Sequence, residues 1–139
     1  MASPAPFVLF VPFVANPPMT ILDVCSVVRE TSFQIHRYFR SGHLEKIYAN
    51  ALAHRLKKQS IHLEQEHPIE VFDEDGTLLG HYVADFLIEQ QLVVELKACS
   101  TIAPEHIAQV LGYLRGTRLN HGMLINFGAP QLQVRKLIL

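Results

Sequence analysis

The chain has 139 residues, 49% of them hydrophobic and 18% charged, and a formal net charge of −1. That length suits one domain with a real core, and the balance excludes a disordered chain and any strong overall basic field for nucleic acid. Two cysteines, Cys25 and Cys99, are too few for a disulfide scaffold. Neither they nor the eight histidines show zinc or iron–sulfur spacing, so a reducing cytoplasm is the expected setting.

Residues 1–20 read as an irregular Pro-rich extension, and 21–139 as one domain. The apolar run from Phe7 to Ala15 is interrupted by Pro12 and is too short to span a bilayer. It lacks the positive region of a signal peptide, so no membrane association is expected. From Ile21 to Phe39 the apolar residues Leu22, Cys25, Val28 and Phe33 through Ile35 predict an amphipathic helix, stopped by Ser41-Gly42. A second helix is expected from His43 to Gln59, with Leu44, Tyr48, Leu52 and Leu56 as its buried ladder. Glu45 sits beside that ladder rather than with Lys46, Arg55, Lys57 and Lys58.

After Ser60 the period switches to two. A first strand is expected from about Ile61 to Phe72, a turn at Asp73-Glu74-Asp75-Gly76, a second strand from Leu78 to Ile88 and a third from Leu92 to Ala98. Pro104 opens another helix, with Ile107, Val110, Leu111 and Leu114 as its buried stripe. His106, Gln109 and Tyr113 share a separate face. Gly116 and an Asn120-His121-Gly122 turn are expected to end that helix, before strands at Met123–Phe127 and Val134–Leu139. The order is α-α-β-β-β-α-β-β, an α/β chain with three meandering strands, a crossover helix and a strand returning beside them. Residues 64–75 hold six acids and no Lys or Arg, leaving twelve basic against seven acidic residues elsewhere.

Chemistry concentrates in residues 82–98. Folding this hairpin about Gln90 puts Asp85 opposite Glu95, and alternation puts Lys97 on the face of Glu95. The other face would carry Ala84, Phe86, Ile88, Leu92, Val94 and Leu96. A strand pair this apolar is expected to be covered on both sides, so its charges need a reason. A divalent metal is one: hard cations take carboxylate oxygens, and a neighbouring lysine can orient or help deprotonate an attacking water. The other is a solvated strand end at Asp85 with Glu95 and Lys97 as a surface pair.

The strand order, with Asp on the second strand and Glu-x-Lys on the third, resembles the PD-(D/E)xK nuclease superfamily, and within it the small bacterial GxxExxY family. The name motif is matched by Gly42-His43-Leu44-Glu45-Lys46-Ile47-Tyr48. Val94-Glu95-Leu96-Lys97-Ala98 matches the catalytic strand, His106-Ile107-Ala108-Gln109 the helix, and Gly122-Met123-Leu124-Ile125-Asn126-Phe127 the strand after it. The resemblance implies a restriction-endonuclease-like αβββαβ core, a mixed central sheet flanked by helices, with an extra N-terminal helix. It implies Mg2+ or Mn2+ held by Asp85, Glu95 and the backbone carbonyl of Leu96. Glu45 would complete the acidic cluster through water or a second metal. Lys97 would position or activate the water that attacks a phosphodiester of DNA or RNA, and Gln109 would contact phosphate or steady Lys97.

Two positions depart from the pattern. Ala84 stands where the superfamily name has proline, and Val83 where the family usually has arginine. The second departure supports the alternative of a catalytically weak or inactive nucleic-acid- or partner-binding module that keeps the nuclease fold. Arg37, Arg40, Arg55, Lys57, Lys58, Arg115 and Arg118 are the side chains available to phosphate. A homodimer would give so short a chain more surface for gripping a duplex.

Overall fold

The computed structural model describes residues 3–4 and 17–139, so most of the Pro-rich extension lies outside the described residues. Helix α1 (Ile21–Phe39) starts at a capping box: the Asp23 amide donates to Thr20 Oγ1, and the Thr20 amide donates to Asp23 Oδ2, both at 3.2 Å. These bonds satisfy two otherwise orphaned donors of the first turn. Helix α2 is Glu45–Lys58, and strands β1 (Leu63–Phe72), β2 (Leu78–Ile88) and β3 (Leu92–Lys97) follow. Helix α3 (Pro104–Thr117) then crosses over to β4 (His121–Asn126), and β5 (Gln133–Ile138) closes the chain.

The five strands form one sheet in the order β1-β2-β3-β4-β5, with β3 and β4 parallel and every other neighbour antiparallel. A crossover helix between parallel strands and hairpins elsewhere is the mixed α/β architecture expected. Helices α1 and α2 cover one face over a core that includes Val28, Ile35, Leu52, Phe86, Val94 and Ile125. The smaller core on the other face, under α3, joins Ile69, Ala84, Leu87, Val93, Tyr113 and Leu114.

Ala84 thus belongs to the α3 face, not with Phe86 and Ile88 as alternation demands. Ala84 and Leu87, three residues apart, share a side, so strict alternation is lost between them. Opposite this point Glu66 takes the left-handed φ of 52°, in a run where Gln65 pairs with Phe86 and His67 with Ala84. The irregularity brackets Asp85.

Other expectations need correction. Leu22 and Leu44 are exposed, and Phe33 is 40% exposed, while Val24, Thr31, Ser32 and His36 line the inner face of α1 instead. Ser32 is buried there because its hydroxyl donates to the Val28 carbonyl at 2.7 Å. On α3 it is Tyr113, rather than Ile107 or Leu111, that joins Val110 and Leu114 inside. The turn expected at Asn120-His121-Gly122 does not exist: Arg118 caps α3 in the left-handed conformation, and His121 already begins β4.

The junction between α1 and α2 is built around Tyr48. Its ring is fully buried and stacks on Phe127 with centroids 4.7 Å apart. Its hydroxyl donates to the Arg40 carbonyl and accepts from the His43 amide at 3.2 Å. Between those anchors Gly42 has φ of 110°, which L side chains rarely adopt. The spacing Gly-x-x-Glu-x-x-Tyr therefore has a mechanical sense: glycine turns the chain, tyrosine pins the turn, and Glu45 is delivered to the first residue of α2.

Candidate active site

Strands β2 and β3 stay paired only from Ile88↔Leu92 to Phe86↔Val94, and then separate. Asp85 and Glu95 are the next residues of that register. Each carboxylate takes over a hydrogen bond that the ladder no longer makes. The Asp85 amide donates to Glu95 Oε2 at 3.2 Å, and the Leu96 amide donates to Asp85 Oδ2 at 2.7 Å. The pair is therefore braced reciprocally, one oxygen of each, with Asp85 Oδ1 and Glu95 Oε1 left over. Lys97 Nζ stands 3.8 Å from Glu95 Oε1.

The surface-pair reading fails for Glu95, which is 5% exposed. Its carboxyl is pushed up to about 8, first by loss of solvent and then by the charge of Asp85, which Lys97 only partly offsets. Asp85, half-buried, is raised for the same first reason, against the opposing pull of the Leu96 amide. Glu45 is exposed at the mouth of the cleft. It too is raised, by partial desolvation and then by Asp85, with Lys97 and the Ala98 amide acting the other way. The charge of Asp85 raises both Glu45 and Glu95, and one ammonium only partly offsets it.

The structure thus brings together Asp85, Glu95 and Lys97, with Glu45 near them from α2. Gln109 stands apart. It is exposed on α3, its amide lies against the Tyr113 phenol, and among the described residues it makes no hydrogen bond to Lys97 or to the acids. The side chain of Leu96 is buried in the α1/α2 core. Its carbonyl, like its amide, projects from the edge of β3 that β2 has left.

A cleft of about 400 Å3 opens beside the acids, lined by Glu45, Lys46, Ala49, Asn50, Gln65, Glu66 and Asp85. Among the described residues no group of three or more His, Cys, Asp or Glu converges as metal ligands. Two close carboxylates with spare oxygens and a backbone carbonyl nevertheless suit a hard cation. Mg2+ usually keeps several waters and takes only one or two carboxylates, with phosphate filling the rest.

Two supporting residues escape a reading of the sequence. Tyr113 is buried at 4%, and its phenol is pushed up to about 12 by burial and then by the charges of Glu95 and Asp85. The one signal for it is its position three residues from Val110 on the buried stripe. Asn126, fully buried, accepts from the Cys99 and Gly128 amides, both at 3.0 Å. It donates to the Cys99 carbonyl at 2.9 Å and to Gln133 Oε1 at 3.0 Å. It clamps the segment that leaves β3 just after Lys97. A Cβ on Gly128 would lie 2.4 Å from the Cys99 backbone, so this clamp also requires glycine there. One amide inside the apolar run Met123–Phe127 is its signal.

Neither a curated protein nor a solved structure matches the chain significantly. No helix among the described residues is long and apolar enough to cross a membrane. A family model described as the PD-(D/E)XK nuclease superfamily matches residues 22–137, the span that holds β1 to β4, all but the last residue of β5, and Glu45, Asp85 and Glu95. The chain belongs to the PD-(D/E)XK nuclease superfamily.

Proposed function

We propose that this protein is a divalent-metal-dependent nuclease of the GxxExxY group, its nuclease domain spanning residues 21–139. The superfamily generally uses divalent metals and acts on nucleic acid. The single observation that carries the finer reading is the reciprocal bracing of Asp85 and Glu95 where β2 and β3 part, with Lys97 at 3.8 Å.

In this reading Asp85, Glu95 and the Leu96 carbonyl hold Mg2+ or Mn2+, with Glu45 acting through water or a second ion. The bound ion supplies Lewis-acid stabilisation of the negative charge that develops on the phosphate oxygens. Lys97, 3.8 Å from Glu95, orients the attacking water and offsets charge as the phosphorus–oxygen bond to the leaving nucleotide breaks. Gln109, exposed on α3, contacts substrate phosphate or steadies Lys97. GxxExxY membership is supported by Gly42, Glu45 and Tyr48, each with its own task in placing the acid.

The test is incubation of the purified protein with plasmid, linear and single-stranded DNA and with RNA, in Mg2+, Mn2+ or EDTA. Cleavage should require metal and fall at least about 100-fold in Lys97→Ala and Asp85→Asn. Binding without cleavage in any metal would favour the inactive-module reading, for which Val83 speaks. Val83 is half exposed, so Val83→Arg is tolerated by the fold and tests whether the missing cation limits turnover.

A further inference from the structure

We infer that the substrate strand runs from the acidic site along the outer face of α2 and is not gripped by the β1–β2 hairpin. This rests on the nuclease reading above and adds to it the side on which the polynucleotide is held.

Lys46, Asn50, His54 and Lys57 recur at i, i+4, i+8 and i+11, with Lys58 four residues past His54; all are exposed and form one stripe along α2. The stripe begins in the cleft with Glu45 and Asp85 and extends about 16 Å along the helix, room for several backbone phosphates. The helix dipole accounts for cations in the last turn of α2. It does not account for Lys46, which lies in the first turn where a cation is disfavoured. Nor do ion pairs explain the stripe. The three pairs among the described residues are Arg37–Glu30, His67–Glu64 and Lys97–Glu95, and none engages Lys46, Lys57 or Lys58.

The other flank has the opposite charge. Residues 63–88 hold seven acids and no lysine or arginine. Arg115 and Arg118, which the sequence offers as phosphate contacts, share their cleft with Glu70, Asp73 and Glu74 of that hairpin. A polyanion is repelled there and attracted along α2, so its contacts fall on one side of the scissile phosphate.

Anisotropy of labelled 20-nucleotide DNA and RNA strands, titrated with the full-length protein in EDTA over a range of salt, tests this. Lys46→Gln/Lys57→Gln/Lys58→Gln, all at exposed positions, should raise Kd at least 10-fold at low salt. The slope of log Kd against log salt should drop by about 2, as expected for three lost single-strand phosphate contacts. Arg115→Gln/Arg118→Gln/Arg135→Gln, with the same charge change, should bind like wild type. Equal binding by wild type and the lysine variant, or equal losses in both variants, overturns the α2 path. If Lys97→Ala still abolishes cleavage in that case, the nuclease reading survives without it. A wild type that binds no strand also overturns the path, and the cleavage assay then decides the nuclease reading separately.

Discussion

Strand β2 is two strands in one. From Phe86 to Ile88 it is fully buried and paired on both sides, with β1 and with β3. From Leu78 to Val83 it pairs with β1 alone, and Leu78, Leu79, Tyr82 and Val83 are exposed. Asp85 sits at the changeover. An acid deeper in the strand would be buried without room for a ligand, and one further out would be solvated and ordinary. The parting of two strands creates a position that is partly desolvated, braced by backbone amides, and still open on one side.

The comparison is broken most severely from the buried half. Phe86→Ala should destabilise by about 3–5 kcal/mol in urea denaturation, the range for emptying a close-packed aromatic site. Leu79→Ala, in the exposed half of the same strand, should stay within about 0.5 kcal/mol. Comparable losses at the two positions would mean that the outer half is covered by something. Asn126→Ala comes next, at about 2–3 kcal/mol, because the part-buried Cys99 and Gly128 amides lose their acceptor together. Metal-dependent cleavage should fall with it, since the loosened segment begins one residue after Lys97.

Tyr48→Phe is smaller, about 1–2 kcal/mol, since the stack on Phe127 survives and only the hydroxyl is lost. Its signature is functional. With the Arg40–His43 turn unpinned, the start of α2 is free to shift, so kcat should fall together with a drop of several degrees in melting temperature. Glu45→Gln should lower kcat without that loss of stability.

Much of this is legible in the order of the amino acids alone. The period of two and the three-residue turn set the register that puts Asp85 beside Glu95, and the Glu-x-Lys spacing puts Lys97 on the same side. The α1 limits and the strand order follow from Gly, Pro and periodicity. What fails shares one cause. The alternation broken between Ala84 and Leu87 and the left-handed Glu66 are tertiary accommodations in residues with no local preference for them. The exposed Leu22 and Leu44, and the buried Tyr113 and Asn126, depend on which neighbour covers which face. A single helix or strand pattern does not contain that information.

The finest distinction between the two halves of β2 is electrical, and pH reads it. Without a bound cation, residue 95 in the unfolded chain releases its proton near pH 4.5, whereas the folded protein holds it until about pH 8. Across that window the native state binds more protons, so stability falls as pH rises and is greatest at the acid end. Asp85 and Glu45, also raised, push in the same direction. Glu64 and Asp75 are lowered and push the other way, but both are identical in any variant at position 95. The informative quantity is therefore the difference between wild type and Glu95→Gln. In EDTA the wild-type Tm should decline between pH 5 and pH 8 relative to the variant, and Mg2+ should restore more of it at pH 8 than at pH 5. Parallel curves for the two proteins would mean that Glu95 is ionised throughout, and the separation of β2 from β3 would then have to shelter a charge with no cation to balance it.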